Sequence, residues 1–379
     1  MCRNVLITGG SGFIGSNLSL RLLREGYNVR ILDNLSEQIH GNGSDSYLYQ
    51  SIKGLTDFRL GDVRNRADLK NSIDGIEVIV HLAAETGTGQ SMYEIKKYVE
   101  TNSLGTANLL DVLVNEKHNV QKVIVASSRA IYGEGKYYCE NHGDVYPQSR
   151  TNMDLQHCIF EPKCKNCGSI LTALATDENS LVNPSSVYGI TKFNQEQLVL
   201  NVCKSISIPS IAFRYQNVFG PGQSLINPYT GILSIFSNLI LTDKEINIFE
   251  DGKESRDFVF IDDVIEATLL GIQKKGEIND SFNVGTGNPI NVESVTQYLM
   301  KIYDKKVDTR ISGDYRIGDI RHNFADLNKI KGILNFNPKY DFIKGLELFC
   351  TWVKSQEITK CNYEESLKEM MNKKLFIEK

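Results

Sequence analysis

Val5-Leu6-Ile7-Thr8-Gly9-Gly10-Ser11-Gly12-Phe13-Ile14-Gly15 is the stretch that decides the fold. An unbroken apolar run closed by glycines reads as a short strand buried on both faces. The glycine-rich turn leads into an amphipathic helix carrying Leu18, Leu20, Leu22 and Leu23, and Gly26 closes it. A second strand, Asn28-Val29-Arg30-Ile31-Leu32, ends at Asp33. In this order the glycines permit a tight turn and let backbone N–H groups approach a pyrophosphate at the helix N-terminus. Gly9, Gly12, Phe13, Ile14 and Gly15 therefore form a candidate dinucleotide cradle. Asp33 stands eighteen residues after Gly15, where a carboxylate accepts hydrogen bonds from the adenosine ribose. Asn34 follows it, and no Arg or Lys appears through Gln38. An acid at that point repels a 2′-phosphate, so NAD is favoured over NADP.

The alternation continues. Phe58-Arg59-Leu60 leads to Gly61-Asp62-Val63, a strand end at which Asp62 can meet the adenine amino group. Val78 to Leu82 is a buried strand running into Ala83 and Ala84, small residues that let a cofactor lie close. His81 reads as a packed strand-end residue. A helix from Thr101 to Val114 begins at Asn102 and puts Leu104, Leu109, Leu110 and Leu113 on its apolar side. The strand Val123–Ala126 then delivers Ser127-Ser128-Arg129-Ala130-Ile131-Tyr132-Gly133. Ligands of an open parallel sheet bind at the carboxyl ends of its strands. Ser128 sits at such an end with a hydroxyl that both donates and accepts.

Tyr188-Gly189-Ile190-Thr191-Lys192 opens a helix after Pro184, Ser185 and Ser186, and its spacing puts the tyrosine and lysine on one face. A nearby cation favours the phenolate, lowering a pKa that is ordinarily about 10. The alternative is a half-buried tyrosine beside a solvated lysine. The spacing alone carries little weight.

At 379 residues the chain suits one large α/β domain with a smaller one. A net charge of −4 gives no reason to expect nucleic acid or an acidic membrane as partner. No apolar run reaches the roughly 18 residues that span a bilayer, and the N-terminus enters a strand without a signal-peptide pattern. A cytoplasmic location follows as the expectation. Eight cysteines in a reducing compartment are then better tested as metal ligands than as disulfides.

Together the glycine turn, Asp62-Val63, His81-x-Ala83-Ala84, Ser128 four before Tyr132-Gly133, and Tyr188-x-x-x-Lys192 resemble the extended short-chain dehydrogenase/reductases. Within that family the chain is most similar to NAD-dependent nucleotide-sugar epimerases. Arg214 to Gln223, Glu250-Asp251-Gly252, Arg256 to Val264, Asn283-Val284-Gly285 and Gly318-Asp319-Ile320-Arg321 support this. The resemblance implies a Rossmann-type doubly wound sheet and a catalytic set of Ser128, Tyr188 and Lys192. It also places Val63, Leu82, Asn102 and Tyr215 at the cofactor, and Arg129 and Asn217 at the substrate. Arg256 and Arg321 would clamp the diphosphate, since arginine suits bidentate phosphate contact. The alternative for each arginine is an ion pair with Asp257 or Asp319.

The resemblance includes dehydratases and decarboxylases, which carry acids after the catalytic hydroxyl. Here Arg129-Ala130 stands instead, which argues for oxidation and re-reduction at one carbon. Tyr188 would accept the proton of the sugar 4-hydroxyl while hydride passes from C4 to the nicotinamide, and return of hydride to the other face would invert C4. A non-catalytic NAD-binding redox sensor, or a reductase or epimerase acting on another UDP-, GDP- or dTDP-sugar, are the competing readings.

An insertion over about 134–183 separates Tyr132-Gly133 from Tyr188. Cys139-Glu140-Asn141-His142-Gly143 and Cys164-Lys165-Asn166-Cys167-Gly168 each look like a knuckle, and three sulfurs with one nitrogen suit a closed tetrahedral Zn²⁺. Reduced surface thiols, or a redox pair at Cys164 and Cys167, are the alternatives. A cysteine-containing insert at this point narrows the resemblance to the dTDP-L-rhamnose 4-epimerase group. The NAD-binding domain is expected over 1–213 and a partly interleaved nucleotide-sugar domain over 214–354, with a helix or loose tail over 355–379. Helices 101–114 and 188–203 would pair in a homodimer, on resemblance alone.

Overall fold

The computed structural model describes residues 3–41, 43, 46–225, 227, 229, 231–357 and 363–379. Its centre is a sheet of seven parallel strands: β1 (Asn4–Thr8), β2 (Asn28–Asp33), β3 (Asp57–Leu60), β4 (Val78–His81), β5 (Lys122–Ser128), β6 (Ser210–Tyr215) and β7 (Asn279–Val284), in the order β7-β6-β5-β4-β1-β2-β3. The expected Rossmann-type doubly wound sheet is present. Its central strands are apolar because helices cover both faces; every residue of β4 and β5 is buried. The strand order reverses between β1 and β4, which opens the ligand crevice at the carboxyl ends of both.

The helix Phe13–Arg24 (α1) starts on the glycine turn, with Gly12 as its N-cap. Gly9 takes φ +68°, and a Cβ there would lie 2.8 Å from Ala83 Cα. A Cβ on Gly15 would lie 2.5 Å from the Gly9 carbonyl oxygen. These two glycines are therefore fixed by contact as well as by turn geometry.

One expectation is corrected. The helix read from Thr101 begins earlier: Ile95–Tyr98 continues through a π-helical segment, Val99–Leu104, into Gly105–Asn115 (α2). The wider π turn shifts the register of the apolar face, which leaves Leu104 47% exposed. The boundary near 213 falls inside β6, and the chain re-enters the main sheet at β7, so the two parts interleave. The tail is folded against the body. Helix Tyr363–Asn372 (α3) has Met370 buried, and Phe376–Ile377 pairs antiparallel with Tyr315–Arg316.

The helix Val187–Ser205 (α4) packs against β5 with an N-cap at Ser186, whose oxygen accepts from Gly189 N at 3.1 Å. It is anchored by a buried ion pair. Glu196 accepts from Arg214 Nη2 at 2.6 Å and Nε at 3.0 Å, and from Ser127 Oγ at 2.6 Å. Arg214 also donates to Tyr132 Oη at 2.7 Å, and that hydroxyl donates to Asn283 Oδ1 at 2.8 Å. One carboxylate thus ties α4, β5 and β6 together, with β7 reached through Tyr132. Glu196→Gln leaves the Arg214 charge buried without its counter-charge and should cost about 3–5 kcal/mol in urea unfolding. A loss below about 1 kcal/mol would mean the pair does not hold these elements together.

Candidate active site

A cavity of about 940 Å³ runs along the carboxyl ends of the strands. Gly9, Gly12, Phe13, Ile14, Gly15, Asp33, Asn34, Asp62, Val63, Leu82, Ala83, Ala84 and Tyr215 line it, as do Ser128, Arg129, Tyr188, Lys192 and Asn217. Three of the sequence-predicted residues lie off this wall. Asn102 is buried beneath it, where its amide oxygen accepts from Glu85 N at 2.7 Å and its nitrogen donates to Thr191 Oγ1 at 2.9 Å. It holds the loop after β4, a supporting role in place of the expected contact. Arg256 donates to Asp319 at 3.2 Å and to the Arg321 carbonyl at 3.0 Å. Arg321, fully buried, donates to Glu161, Glu250 and Asp251. The ion-pair alternative describes both arginines as they stand here, although Arg321 pairs with acids that the sequence did not single out.

At the adenosine end, Asp33 accepts from Ser11 N and Leu35 N, each at 2.9 Å. Burial pushes the Asp33 carboxyl up, and those bonds and the neighbouring His40 oppose it. His40, whose Nε2 lies 3.8 Å from Asp33, was not legible because no glycine pattern points to it. Burial pushes Asp62 up, but bonds from Arg64 and Asn34 outweigh it and hold the carboxyl at about 2. Its oxygens are thus already engaged by Arg64 at 2.6 Å and Asn34 at 2.9 Å.

At the reacting end Ser128 and Tyr188 line the same cavity. Burial pushes the Tyr188 phenol up; the Ser128 hydroxyl and the Arg129 charge pull it down. Lys192 donates to Gln195 Oε1 at 2.8 Å, and burial pushes its ammonium down to about 7, opposed by Glu196. Gln195 in turn donates to Thr106 Oγ1 at 2.8 Å, beside His81 Nε2 at 3.3 Å. His81 is fully buried and bonded to Thr8 and Thr106; burial first, then Lys192, push it down to about 3, so it is neutral. It packs, as expected.

The far end is polar and unsatisfied. Gln216 Nε2 and Oε1, Asn217 Oδ1, Gln223 Oε1 and Asn227 Nδ2 are buried, line the cavity, and lack a hydrogen-bond partner among the described residues. Buried amides without partners cost free energy, and a ligand rich in hydroxyl and imide groups satisfies them. Sequence reading reached only Asn217, because glutamine and asparagine in a loop carry no period.

Outside the cavity, the insertion forms a three-stranded sheet of Gly143–Val145, Tyr137–Cys139 and Thr172–Ala173. It gathers Cys139, His142, Cys164 and Cys167, with ligand atoms all within 4.8 Å of one another. Cys139 Sγ lies 3.5 Å from His142 Nδ1 and 3.6 Å from Cys167 Sγ, and Cys164 Sγ lies 3.6 Å from His142 Nδ1. Sulfurs about 2.3 Å from a tetrahedral Zn²⁺ are separated by about 3.8 Å, so the donor set fits that ion.

The comparisons agree with this geometry. The family model of the NAD dependent epimerase/dehydratase family matches residues 5–152 and 164–285. A dTDP-L-rhamnose 4-epimerase of Burkholderia thailandensis is 34% identical over 362 residues, covering 95% of this chain and 97% of that one. A dTDP-D-glucose 4,6-dehydratase of Dictyostelium discoideum is 31% identical over 303 residues, covering 79% of this chain and 62% of that one. The crystal structure of UDP-glucuronic acid 4-epimerase from Bacillus cereus, in complex with UDP-glucuronic acid and NAD, superposes with a TM-score of 0.76 at 26% identity, covering 93% of this chain and 99% of that one. The chain belongs to the NAD dependent epimerase/dehydratase family. It is an enzyme, of the isomerase class that its epimerase relatives define.

The cradle fits NAD, because Gly9 and Gly15 lie so close to neighbouring backbone that no side chain can stand there, and Asp33 lies beyond the turn. Gly9→Ala strains a left-handed backbone and drives a methyl into Ala83. It should weaken NAD binding roughly tenfold or more by calorimetry.

Proposed function

We propose that the enzyme is an NAD-dependent nucleotide-sugar 4-epimerase that converts dTDP-L-rhamnose to dTDP-6-deoxy-L-talose. What carries the reading is the triad of Ser128, Tyr188 and Lys192 on one cavity whose far end presents unpaired amides. When bound, NAD supplies the reversible hydride acceptor. Tyr188 accepts the proton of the sugar 4-hydroxyl and later returns it, and Ser128 shares its hydrogen bond with that hydroxyl. Lys192, in an apolar setting that weakens its hold on a proton, donates to the cofactor ribose once Gln195 yields. Ala130 leaves the position after Arg129 without an acid, so elimination of water, as in the dehydratase relatives, lacks its proton donor. Gln216, Asn217, Gln223 and Asn227 take the nucleotide and sugar hydroxyls. The 34% relative, which shares nearly its full length, supports the rhamnosyl substrate.

The same reading makes Cys139, His142, Cys164 and Cys167 a structural Zn²⁺ site in a cytoplasmic enzyme whose thiols stay reduced. It also makes the protein a homodimer: Ile95, Val99, Leu104 and Ile190 are 51%, 43%, 47% and 54% exposed on adjacent helices, an apolar face that a second copy covers.

Activity, variant and metal measurements test this. Incubation with a nucleotide-sugar panel led by dTDP-L-rhamnose, read by NMR, should give the C4-inverted sugar without net NADH. Tyr188→Phe should retain NAD and lose at least 10³-fold in kcat, the order expected of an acid–base group; wild-type turnover by that variant would refute the mechanism. Metal analysis of protein never exposed to chelator should find close to one zinc per chain, and Cys164→Ser should lower both zinc content and Tm. Absence of zinc would end the metal assignment.

A further inference from the structure

The tail helix α3 packs against two loops that line the cavity. Met370 is buried on it, and a Cβ on Gly89 would lie 3.1 Å from Met370 Sδ, so the helix rests on the segment that follows β4. That segment supplies Glu85, Thr86, Gly87 and Thr88 to the cavity wall, and its Ser91 Oγ accepts from Tyr188 N at 3.0 Å. The second loop runs between the strand Asn217–Phe219 and the helix Ile232–Leu241, where the described residues form neither strand nor helix. It carries Gln223 and Asn227, each with a buried side-chain atom lacking a partner among the described residues, and Tyr229, which lines the cavity. The loops touch at Gly87, which takes φ +110°; a Cβ there would lie 3.2 Å from Tyr229 Cβ. Tyr229 Oη donates to Glu369 Oε2 at 2.7 Å, and Tyr93 Oη stands 3.1 Å from the same oxygen and 3.0 Å from Tyr229 Oη.

Glu369 joins this cluster without serving the helix that carries it. It is exposed and lies in the last turn of α3, where a carboxylate opposes the helix dipole. One of its oxygens instead meets two phenols from different loops, and hydrogen bonds to a carboxylate are the strong kind. Burial, then Tyr229 and Glu369, push the Tyr93 phenol up; burial and Glu369 push Tyr229 up against the pull of Tyr93, so both remain donors. The base of the contact is fixed. Leu367 packs on the main core, Glu364 lies 3.3 Å from Lys244, and the Phe376 ring stands 5.0 Å from that of Phe249. We propose that Glu369 is a positioning residue: through Tyr93 and Tyr229 it latches the two wall loops together, so that Gln223 and Asn227 are held ready for the nucleotide sugar. This rests on the reading of the cavity's far end as the nucleotide-sugar site.

The test is hydrogen exchange by mass spectrometry on the NAD-loaded full chain, with kinetics on dTDP-L-rhamnose beside it. Glu369→Ala should speed exchange about fivefold or more in the peptides carrying Tyr93 and Gln223 to Tyr229, and leave β4 and β5 unchanged. Glu369→Gln, which keeps an acceptor, should recover part of the protection. Tyr229→Phe should loosen the same peptides, and adding Glu369→Ala to it should change little more, because the contact is already gone. In turnover Glu369→Ala should raise KM about fivefold at nearly constant kcat, the sign of lost binding and not of lost chemistry. Unchanged exchange in both loops overturns the proposal, as does faster exchange with an unchanged KM. Exchange needs no turnover, so a wild-type chain inactive on every nucleotide sugar would overturn the proposed function, while the exchange data still decided whether Glu369 holds the loops.

Discussion

The buried carboxylate of Glu196 is the constraint on which the site depends. It is fully buried and receives three hydrogen bonds, two from Arg214 on β6 and one from Ser127 on β5. A charge in that setting is tolerated only because its partner is bidentate and its remaining acceptor capacity is filled. The consequence is geometric. Ser127 precedes Ser128, and Glu196 lies two helical turns beyond Tyr188 on α4, so one ion pair fixes the Ser128 hydroxyl relative to the Tyr188 phenol. Arg214 then reaches Tyr132 and through it Asn283, which extends the same constraint to β7. Proton transfer between groups held this way needs little reorganisation.

Because that network is polar, α4 hides its identity. Its buried positions include Thr191, Lys192, Gln195 and Glu196, while Ile190 faces out. A search for an apolar stripe at helical period reads such a helix poorly, since its inner face meets hydroxyls, an imidazole and a guanidinium in place of a hydrocarbon core. The Tyr-Lys spacing was still visible, because one helical turn is a local property. What burial does to the pair was not visible: it raises the phenol of Tyr188 and weakens the ammonium of Lys192, so the balance is set by packing.

The insertion repeats this division. Its two knuckles were legible as residue types at short spacing, and folding brings the four ligand atoms within 4.8 Å of one another. What spacing could not give was the connection between the knuckles and the charge cluster beside the cavity. Arg150 in the insertion donates to Glu250 at 2.7 Å, and Glu161 accepts from Arg321 at 2.6 Å and contacts His322 at 3.0 Å. The loop that carries the Cys/His set is therefore stitched to the residues expected at the diphosphate, with Arg321 paired to its Glu161.

By itself the sequence determined the parallel sheet, the glycine cradle with Asp33, the one-turn spacing of Tyr188 and Lys192, and the Cys/His spacing. Each of these is written in neighbours along the chain: an apolar run, a turn that admits only glycine, one helical turn, two-residue gaps. Only the tertiary structure decided that Arg256 and Arg321 pair with acids, that Asn102 supports the wall from beneath, and that the tail docks. Those outcomes depend on which charges are desolvated together across segments far apart in sequence. Desolvation is a property of the packed neighbourhood, and no local pattern of residues encodes it.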